Sequence, residues 1–376
     1  MEILDKYIDE LLEKSTPQAP VWNIEKIRSG KPSTWNYIDG CMIKAVLELY
    51  DIKGDKKFLE FADNFIDYFV HDDGSIESYN PEEYNIDNVN AGKTLFDLYK
   101  LTGKEKYRKA IETIYGQVKN QPRTPSGNFW HKKIYPNQVW LDGLYMGQPF
   151  YMQYEIEYNN CKNCMDSFNQ FINVYNKMRD KNTGLYYHGF DESKEVFWAD
   201  KETGLSKNFW LRALGWYSMA LVDTIDIMPD SFKEQRDKLS EIYKELIDSM
   251  LKFQDESGMW YQVVDKGGRE GNYLETSGSA IFAYSIMKSV RMGILDESYF
   301  AYGEKAFNGT CDRYLSQKDG ELQLDGICLV AGLGPADNTR RDGTFEYYIS
   351  EPVVQNDAKG VAPLILAYIE ILRKAK

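Results

Sequence analysis

Apolar residues recur three and four positions apart through most of this chain, the spacing that lays one apolar stripe along a helix. The pattern predicts helices over Met1–Glu13, Gly40–Tyr50, Lys56–Val70, Asn88–Tyr99, Lys104–Val118 and Trp140–Tyr154. It predicts six more over Cys164–Met178, Phe209–Ile225, Phe232–Phe253, Ser279–Arg291, Tyr299–Leu315 and Ala358–Arg373. In the last, Val361, Leu364, Ile365, Ala367, Tyr368, Ile371 and Leu372 mark the buried face. Long alternating runs are scarce, so strands are expected only as small pairings, for example at Tyr186–Tyr187.

The pattern also repeats. Leu49–Phe58 is echoed by Leu98–Tyr107, with Gly54 and Gly103 in register. A glycine there ends one helix in a left-handed conformation and lets the next begin. Glycine turns ahead of aromatic residues recur at Gly74, Gly127, Gly184, Gly258 and Gly320. A repeat near 50 residues made of two helices means hairpins stacked side by side. About twelve helices make six or seven hairpins, arranged as an open superhelix or a closed ring. The polar stretches Asn36–Asp39, Asn85–Asn88 and Ala199–Asn208 each precede an inner-helix candidate. In a closed barrel they converge on one rim and form one funnel. No proline- or serine-rich linker divides the chain, so residues 1–376 are read as a single all-α domain.

Composition narrows the function. With 45 Lys+Arg against 58 Asp+Glu, the net charge is −13, which argues against nucleic acid and anionic membranes as partners. The hydrophobic fraction of 43% supports a sizeable core rather than disorder. The N-terminal sequence is acidic and amphipathic, unlike a secretory leader, and no apolar run is long enough to span a membrane. Five cysteines do not make a disulfide scaffold, and a cytoplasmic location is expected. Cys161 and Cys164 form a lone pair with no companion ligands for a metal. The 14% of aromatic residues suits a core and also a sugar-binding cleft.

Candidate chemistry clusters before the inner helices. His131 and His188 each follow a glycine turn, whereas His71 follows a helix end. Asp142 lies in the first turn of a helix beside Trp140, Leu141 and Leu144. It reads either as a helix-cap aspartate or as a carboxyl among apolar rings, whose desolvation favours the protonated form that a general acid needs. Gly143 and Gly147 leave room on that helix for a neighbour or a ligand. Asp87 occupies the equivalent place one hairpin earlier, and paired carboxylates suit glycosidic chemistry. Arg212 and Trp216, four apart, share a helix face suited to a sugar carboxylate and ring, while Trp210 is expected to point elsewhere. Gly271–Ala280 supplies small residues that tighten the next helix, with Thr276 and Ser277 as candidate contacts. Nucleotide, metalloprotease and serine-hydrolase motifs are missing.

Taken in order, these pieces resemble the unsaturated rhamnogalacturonyl hydrolases of glycoside hydrolase family 105. The resemblance rests on Tyr37–Gly40, Ile86–Asn88, Trp130–His131, Trp140–Met146, Phe209–Trp216 and Glu275–Ala280, and it covers almost the whole chain. It implies an (α/α)6 barrel of six hairpins acting without metal or organic cofactor. It implies a small acidic oligosaccharide with a 4,5-unsaturated uronate at the nonreducing end, typically linked to rhamnose. It assigns Asp142 as proton donor and Asp87 as the second carboxylate. Tyr37, His131, Trp140, His188, Arg212 and Trp216 become the pocket residues. The implied reaction is hydration of a vinyl ether: protonation at C4, water at C5, then loss of the glycosidic bond. The rivals are an unsaturated glucuronyl hydrolase on another polysaccharide fragment, a conventional exo-glycosidase, and a non-enzymatic helical scaffold.

Overall fold

A computed structural model describes residues 2–376. Fourteen α-helices run in the order α1 (Glu2–Glu13), α2 (Ile24–Ser29), α3 (Tyr37–Lys53), α4 (Lys56–Asp67), α5 (Lys93–Thr102), α6 (Glu105–Asn120) and α7 (Leu141–Tyr158). They continue as α8 (Cys164–Met178), α9 (Leu211–Ile227), α10 (Lys233–Leu251), α11 (Thr276–Arg291), α12 (Phe300–Tyr314), α13 (Phe345–Ser350) and α14 (Ala358–Lys374). The twelve long helices are the twelve that periodicity predicts. Several boundaries move by a few residues, most of all the start of α5. The stretch from Asn88 is a 3-10 turn, Ile86–Gly92, and α5 begins only at Lys93. The short helices α2 and α13 carry too few residues to show a period.

Six helices form the inner ring. Each of α3, α5, α7, α9, α11 and α14 packs against the next, directly or through the Ile86–Gly92 turn, and α14 returns to α3. An inner helix has neighbours on all sides, so α9 and α11 are buried almost throughout. The outer helices α4, α6, α8, α10 and α12 bury one stripe and expose the other, as their amphipathic patterns require. The sixth hairpin joins the two ends of the chain. Tyr7 of α1 donates to Asn356 at 2.7 Å, and Tyr368 of α14 donates to Asp5 at 3.1 Å. The six hairpins therefore close as an (α/α)6 barrel.

Within a hairpin, left-handed glycines make the tight inner-to-outer turn. Gly54 and Gly103 have φ of 69° and 70°, and each donates to the carbonyl four residues back. At the opposite end, the loops between hairpins are tied by one recurring hydrogen bond. The backbone N–H groups of Ile86, Leu141, Leu211, Thr276 and Ala358 donate to the carbonyls of His131, His188, Gln262, Gly326 and Trp22, at 2.9–3.1 Å. Each bond links the start of an inner helix to a loop of the following hairpin. The last one wraps from the C-terminal helix to the N-terminal segment and closes the rim.

Sheet is confined to three small antiparallel pairs: β1 (Gln138–Trp140) with β2 (Gly189–Asp191), β3 (Leu315–Lys318) with β4 (Glu321–Leu324), and β5 (Ile327–Cys328) with β6 (Val353–Val354). Tyr186 makes only an isolated bridge, to Arg179. No helix is long and apolar enough to cross a membrane among the described residues.

Candidate active site

The recurring rim bond sets the site. The residue after each donor sits in the first turn of its inner helix or 3-10 turn, giving Asp87, Asp142, Arg212, Ser277 and Lys359 around one mouth. Helix N-termini carry partial positive charge, so this rim favours an anion even though the protein is acidic overall.

Two histidines each hold two consecutive residues of a neighbouring helix start. The His131 carbonyl accepts from Ile86 N–H, and its Nε2 lies 3.3 Å from Asp87 Oδ1. The His188 carbonyl accepts from Leu141 N–H, and its Nε2 lies 3.2 Å from Asp142 Oδ2. Trp140 stands between the two pairs. His131 stacks on it at 4.3 Å and 15°, and His188 meets it edge-on at 5.5 Å. The parallel glycine-turn settings of His131 and His188 thus translate into parallel roles. Gly143 fits closely beside them, because a Cβ there would lie 3.0 Å from His131 Nδ1. The gaps at Gly143 and Gly147 are filled by His131 and Ile86, not by another helix.

The two carboxylates differ in surroundings. Asp87 is nearly buried, which opposes its ionisation, but Lys132 Nζ at 2.8 Å and His131 outweigh that and hold its carboxyl well below the usual range. Asp87 is therefore an anion at neutral pH. It does not cap its own turn, because Asn85 Oδ1 accepts from the Asp87 N–H at 3.1 Å. Asp142 has no lysine or arginine in ion-pair contact. The His188 ring approaches it, but the contact is not aligned as a hydrogen bond, leaving Asp142 Oδ2 and His188 Nε2 both unsatisfied. The other ring nitrogen of His188, Nδ1, lies 2.7 Å from the hydroxyl of Tyr348. Burial keeps that hydroxyl protonated.

Arg212 is fully buried and its guanidinium lies 4.9 Å from the ring of Trp210. Trp210 and not Trp216 is its aromatic partner. The spacing argument failed because Trp210 is the extended N-cap residue of α9, where helical geometry does not hold. Trp216 stacks instead on Tyr145 of α7 at 4.9 Å and 9°, within the wall below the rim. Nη1 of Arg212 donates to Ser277 Oγ at 3.2 Å and to the Cys328 carbonyl at 2.5 Å, and Nη2 reaches the Leu329 carbonyl at 3.4 Å. The Nε–H and one Nη2–H remain, on the edge that grips a carboxylate side-on. Tyr37 starts α3, half-buried, with its hydroxyl kept protonated by burial and within the electrostatic reach of Glu25, Arg212 and Asp87.

Thr276 and Ser277 are structural. Thr276 Oγ1 donates to the Asp325 carbonyl, and Ser277 Oγ donates to Glu275. The N-cap of α11 is Glu275, which also accepts from the N–H groups of Ser277, Gly278 and Cys328. His71 is exposed beside Glu77 at 3.3 Å. The sequence did not reveal Lys132 as the partner of Asp87, nor Tyr348 as the partner of His188. Lys132 is adjacent to His131, and that adjacency is the one signal that points to it. No group of three His, Cys, Asp or Glu side chains is arranged to hold a metal among the described residues.

Comparison with known proteins gives the family of the chain. The family model Glycosyl Hydrolase Family 88 matches residues 8–375. A C. acetobutylicum ATCC 824 glycoside hydrolase from family 105 superposes with a TM-score of 0.89 at 43% identity, over 98% of each chain. A possible family 105 member from Salmonella enterica superposes at 0.80 with 23% identity, over 100% of this chain and 94% of the other. The unsaturated rhamnogalacturonyl hydrolase YesR of Bacillus subtilis is 25% identical over 301 residues, 77% of this chain and 78% of the relative. The chain is an enzyme of the glycoside hydrolase family 88/105 group, and it belongs with the unsaturated uronyl hydrolases.

Proposed function

We propose that this enzyme removes the nonreducing-end 4,5-unsaturated galacturonate from short rhamnogalacturonan fragments. The observation that carries the reading is the pair of unlike Asp–His couples flanking Trp140. One carboxylate is held as an anion by Lys132, and the other is free of any lysine or arginine in ion-pair contact. That division sets Asp87 as the anion and leaves Asp142 for the proton-donor role in protonation of a vinyl ether followed by water addition.

In this mechanism Asp142, protonated, gives its proton to C4 of the uronate. The C4–C5 π electrons form the new C4–H bond, and positive charge develops on C5 and the ring oxygen. Asp87 stabilises that charge and orients a water molecule, whose oxygen bonds to C5. The water's proton passes to the Asp142 carboxylate, restoring the acid. The C5 hemiketal then opens by breaking its bond to the ring oxygen, leaving a C5 ketone. The C1 hemiacetal collapses and releases the neighbouring sugar. His188, anchored by Tyr348, orients Asp142, and the free edge of Arg212 faces the uronate carboxylate. His131 and Trp140 form the wall against which the ring lies, and Tyr37 supplies a hydroxyl. Trp216, stacked on Tyr145, supports that wall from below.

The relative YesR, named as an unsaturated rhamnogalacturonyl hydrolase, supports rhamnose as the neighbouring sugar. The test follows the ultraviolet absorbance of the conjugated uronate while the purified protein acts on unsaturated galacturonyl-rhamnose. Loss of absorbance with stoichiometric release of rhamnose is expected. No change on that substrate, with turnover of an unsaturated glucuronyl disaccharide, would move the enzyme to the rival linkage. Turnover of a saturated galacturonyl-rhamnose would refute the double-bond chemistry itself.

A further inference from the structure

Of four cationic side chains at the mouth, two are held by carboxylates and one keeps only a single free edge. Lys132 holds Asp87, and fully buried Lys359 pairs with Glu25 at 2.7 Å and Asp357 at 3.1 Å. Arg212 spends three hydrogen bonds on Ser277 and two backbone carbonyls. The fourth, Arg341, is half-buried, and its guanidinium makes no ion pair or hydrogen bond among the described residues. Its neighbour Arg340 is spent on Glu351 at 2.9 Å.

Arg341 is nonetheless held in place. It lies on the segment from Leu329 to Thr344, which crosses the mouth from the β5 side to the α7–α9 side. That segment is anchored by Leu329 N–H to the Pro352 carbonyl, Gly332 N–H to the Tyr347 hydroxyl, Trp198 to the Gly334 carbonyl and Asn208 to the Gly343 carbonyl. The Arg341 carbonyl accepts from Gly334 N–H at 2.8 Å. Its Nη1 lies 3.2 Å from where a Cβ on Gly332 would stand, and Trp140 Cζ3 lies 3.3 Å from that same point. Its charge acts on Lys132, Glu25 and Tyr347. The guanidinium therefore lies beside the edge of the indole that separates the two Asp–His couples.

A half-buried guanidinium gives up part of its hydration, and an unpaired one recovers nothing for it. A chain with 58 acidic residues has ample means to pair it. The open fork matches a carboxylate in geometry and charge. We propose that Arg341 is a specificity residue that grips a carboxylate of the sugar acid at this mouth. The proposal rests on the unsaturated-uronate reading. The carboxylate is either the one on the unsaturated ring or one on a further uronate along the chain.

The test compares wild type, Arg341→Met and Arg341→Lys on three substrates: the unsaturated galacturonyl-rhamnose disaccharide, its methyl ester, and a tetrasaccharide carrying a second uronate. Loss of a bidentate charge-assisted contact raises KM by about 10- to 100-fold with kcat little changed, and Lys restores part of it. A rise for the free disaccharide but not its ester assigns the unsaturated ring's own carboxylate. A rise confined to the tetrasaccharide assigns the further uronate. Equal effects on acid and ester, or no effect on any substrate, overturn the proposal. Calorimetric binding to Asp142→Asn protein, with and without Arg341→Met, repeats the comparison without turnover. Wild-type turnover with KM unmoved in Arg341→Met refutes the clamp alone. A wild type that neither binds nor converts the disaccharide refutes the uronate reading, and the clamp falls with it.

Discussion

Replacing Lys132 by Met tests the division of labour between the two carboxylates. Lys132 Nζ is 2.8 Å from Asp87 Oδ2, and the aspartate side chain is 12% exposed. An opposite charge at this range lowers an aspartate pKa by about 1–3 units. Its removal therefore shifts the balance of protonation by about 1.4–4 kcal/mol. Burial then works against ionisation with only His131 at 3.3 Å to oppose it. The Asp87 carboxyl moves from well below the usual range up to or beyond it. In the wild type the anion persists down to strongly acidic pH, so Asp87 sets no limb of the activity profile near neutrality. In Lys132→Met the Asp87 carboxyl rises toward the assay range and adds an acid limb to kcat/KM that the wild type lacks. The assay is the loss of uronate absorbance from pH 3.5 to 8, corrected for folded fraction by circular dichroism. Stability follows the same sign. A depressed folded pKa contributes stability above the unfolded pKa of about 3.9 and loses it as pH falls through the folded value. The wild-type advantage over Lys132→Met is therefore full at pH 7 and shrinks below about pH 4. A folded variant whose profile superposes on that of the wild type across this range would refute the role of Asp87 as a held anion.

Three further outcomes follow from the site. Asp142→Asn lowers kcat by about 100- to 10,000-fold, the range of a lost general acid, while the melting temperature stays within a few degrees; near-normal turnover by the folded variant would remove Asp142 from the mechanism. Tyr348→Phe frees His188 Nδ1 from its 2.7 Å partner and lowers kcat about tenfold with KM preserved, because His188 orients the acid rather than the sugar; an equal loss in Tyr348→Phe and in the double variant with His188→Gln would support the route through His188, whereas additive losses would contradict it. Glu275→Ala orphans the N–H groups of Ser277, Gly278 and Cys328 at the start of α11. At about 1 kcal/mol or more for each buried donor, unfolding free energy in urea falls by at least about 3 kcal/mol; a change under 1 kcal/mol would mean water replaces the cap.

The amino-acid pattern by itself determined the helices, their order and their pairing into hairpins. Helical periodicity, left-handed glycine turns and caps are local, so Gly54 and Gly103 mark the same event in the sequence as in space. It also located Asp87 and Asp142 at equivalent helix starts, since a 50-residue repeat carries its landmarks with it. Tertiary structure alone decided which groups meet. The partner of each aspartate is a histidine some 45 residues later, delivered by the loop of the next hairpin. Lys132 reads as a solvated surface lysine until the Ile86–Gly92 turn places Asp87 against it. Arg212 finds Trp210 rather than Trp216 because its neighbour is an extended cap residue. Arg341 lies about 200 residues beyond Trp140, on a crossing segment without periodicity, and only closure of the ring brings them together. Contacts within one turn of helix are written in spacing; contacts across a barrel mouth depend on how hairpins stack, and stacking is a property of the whole chain.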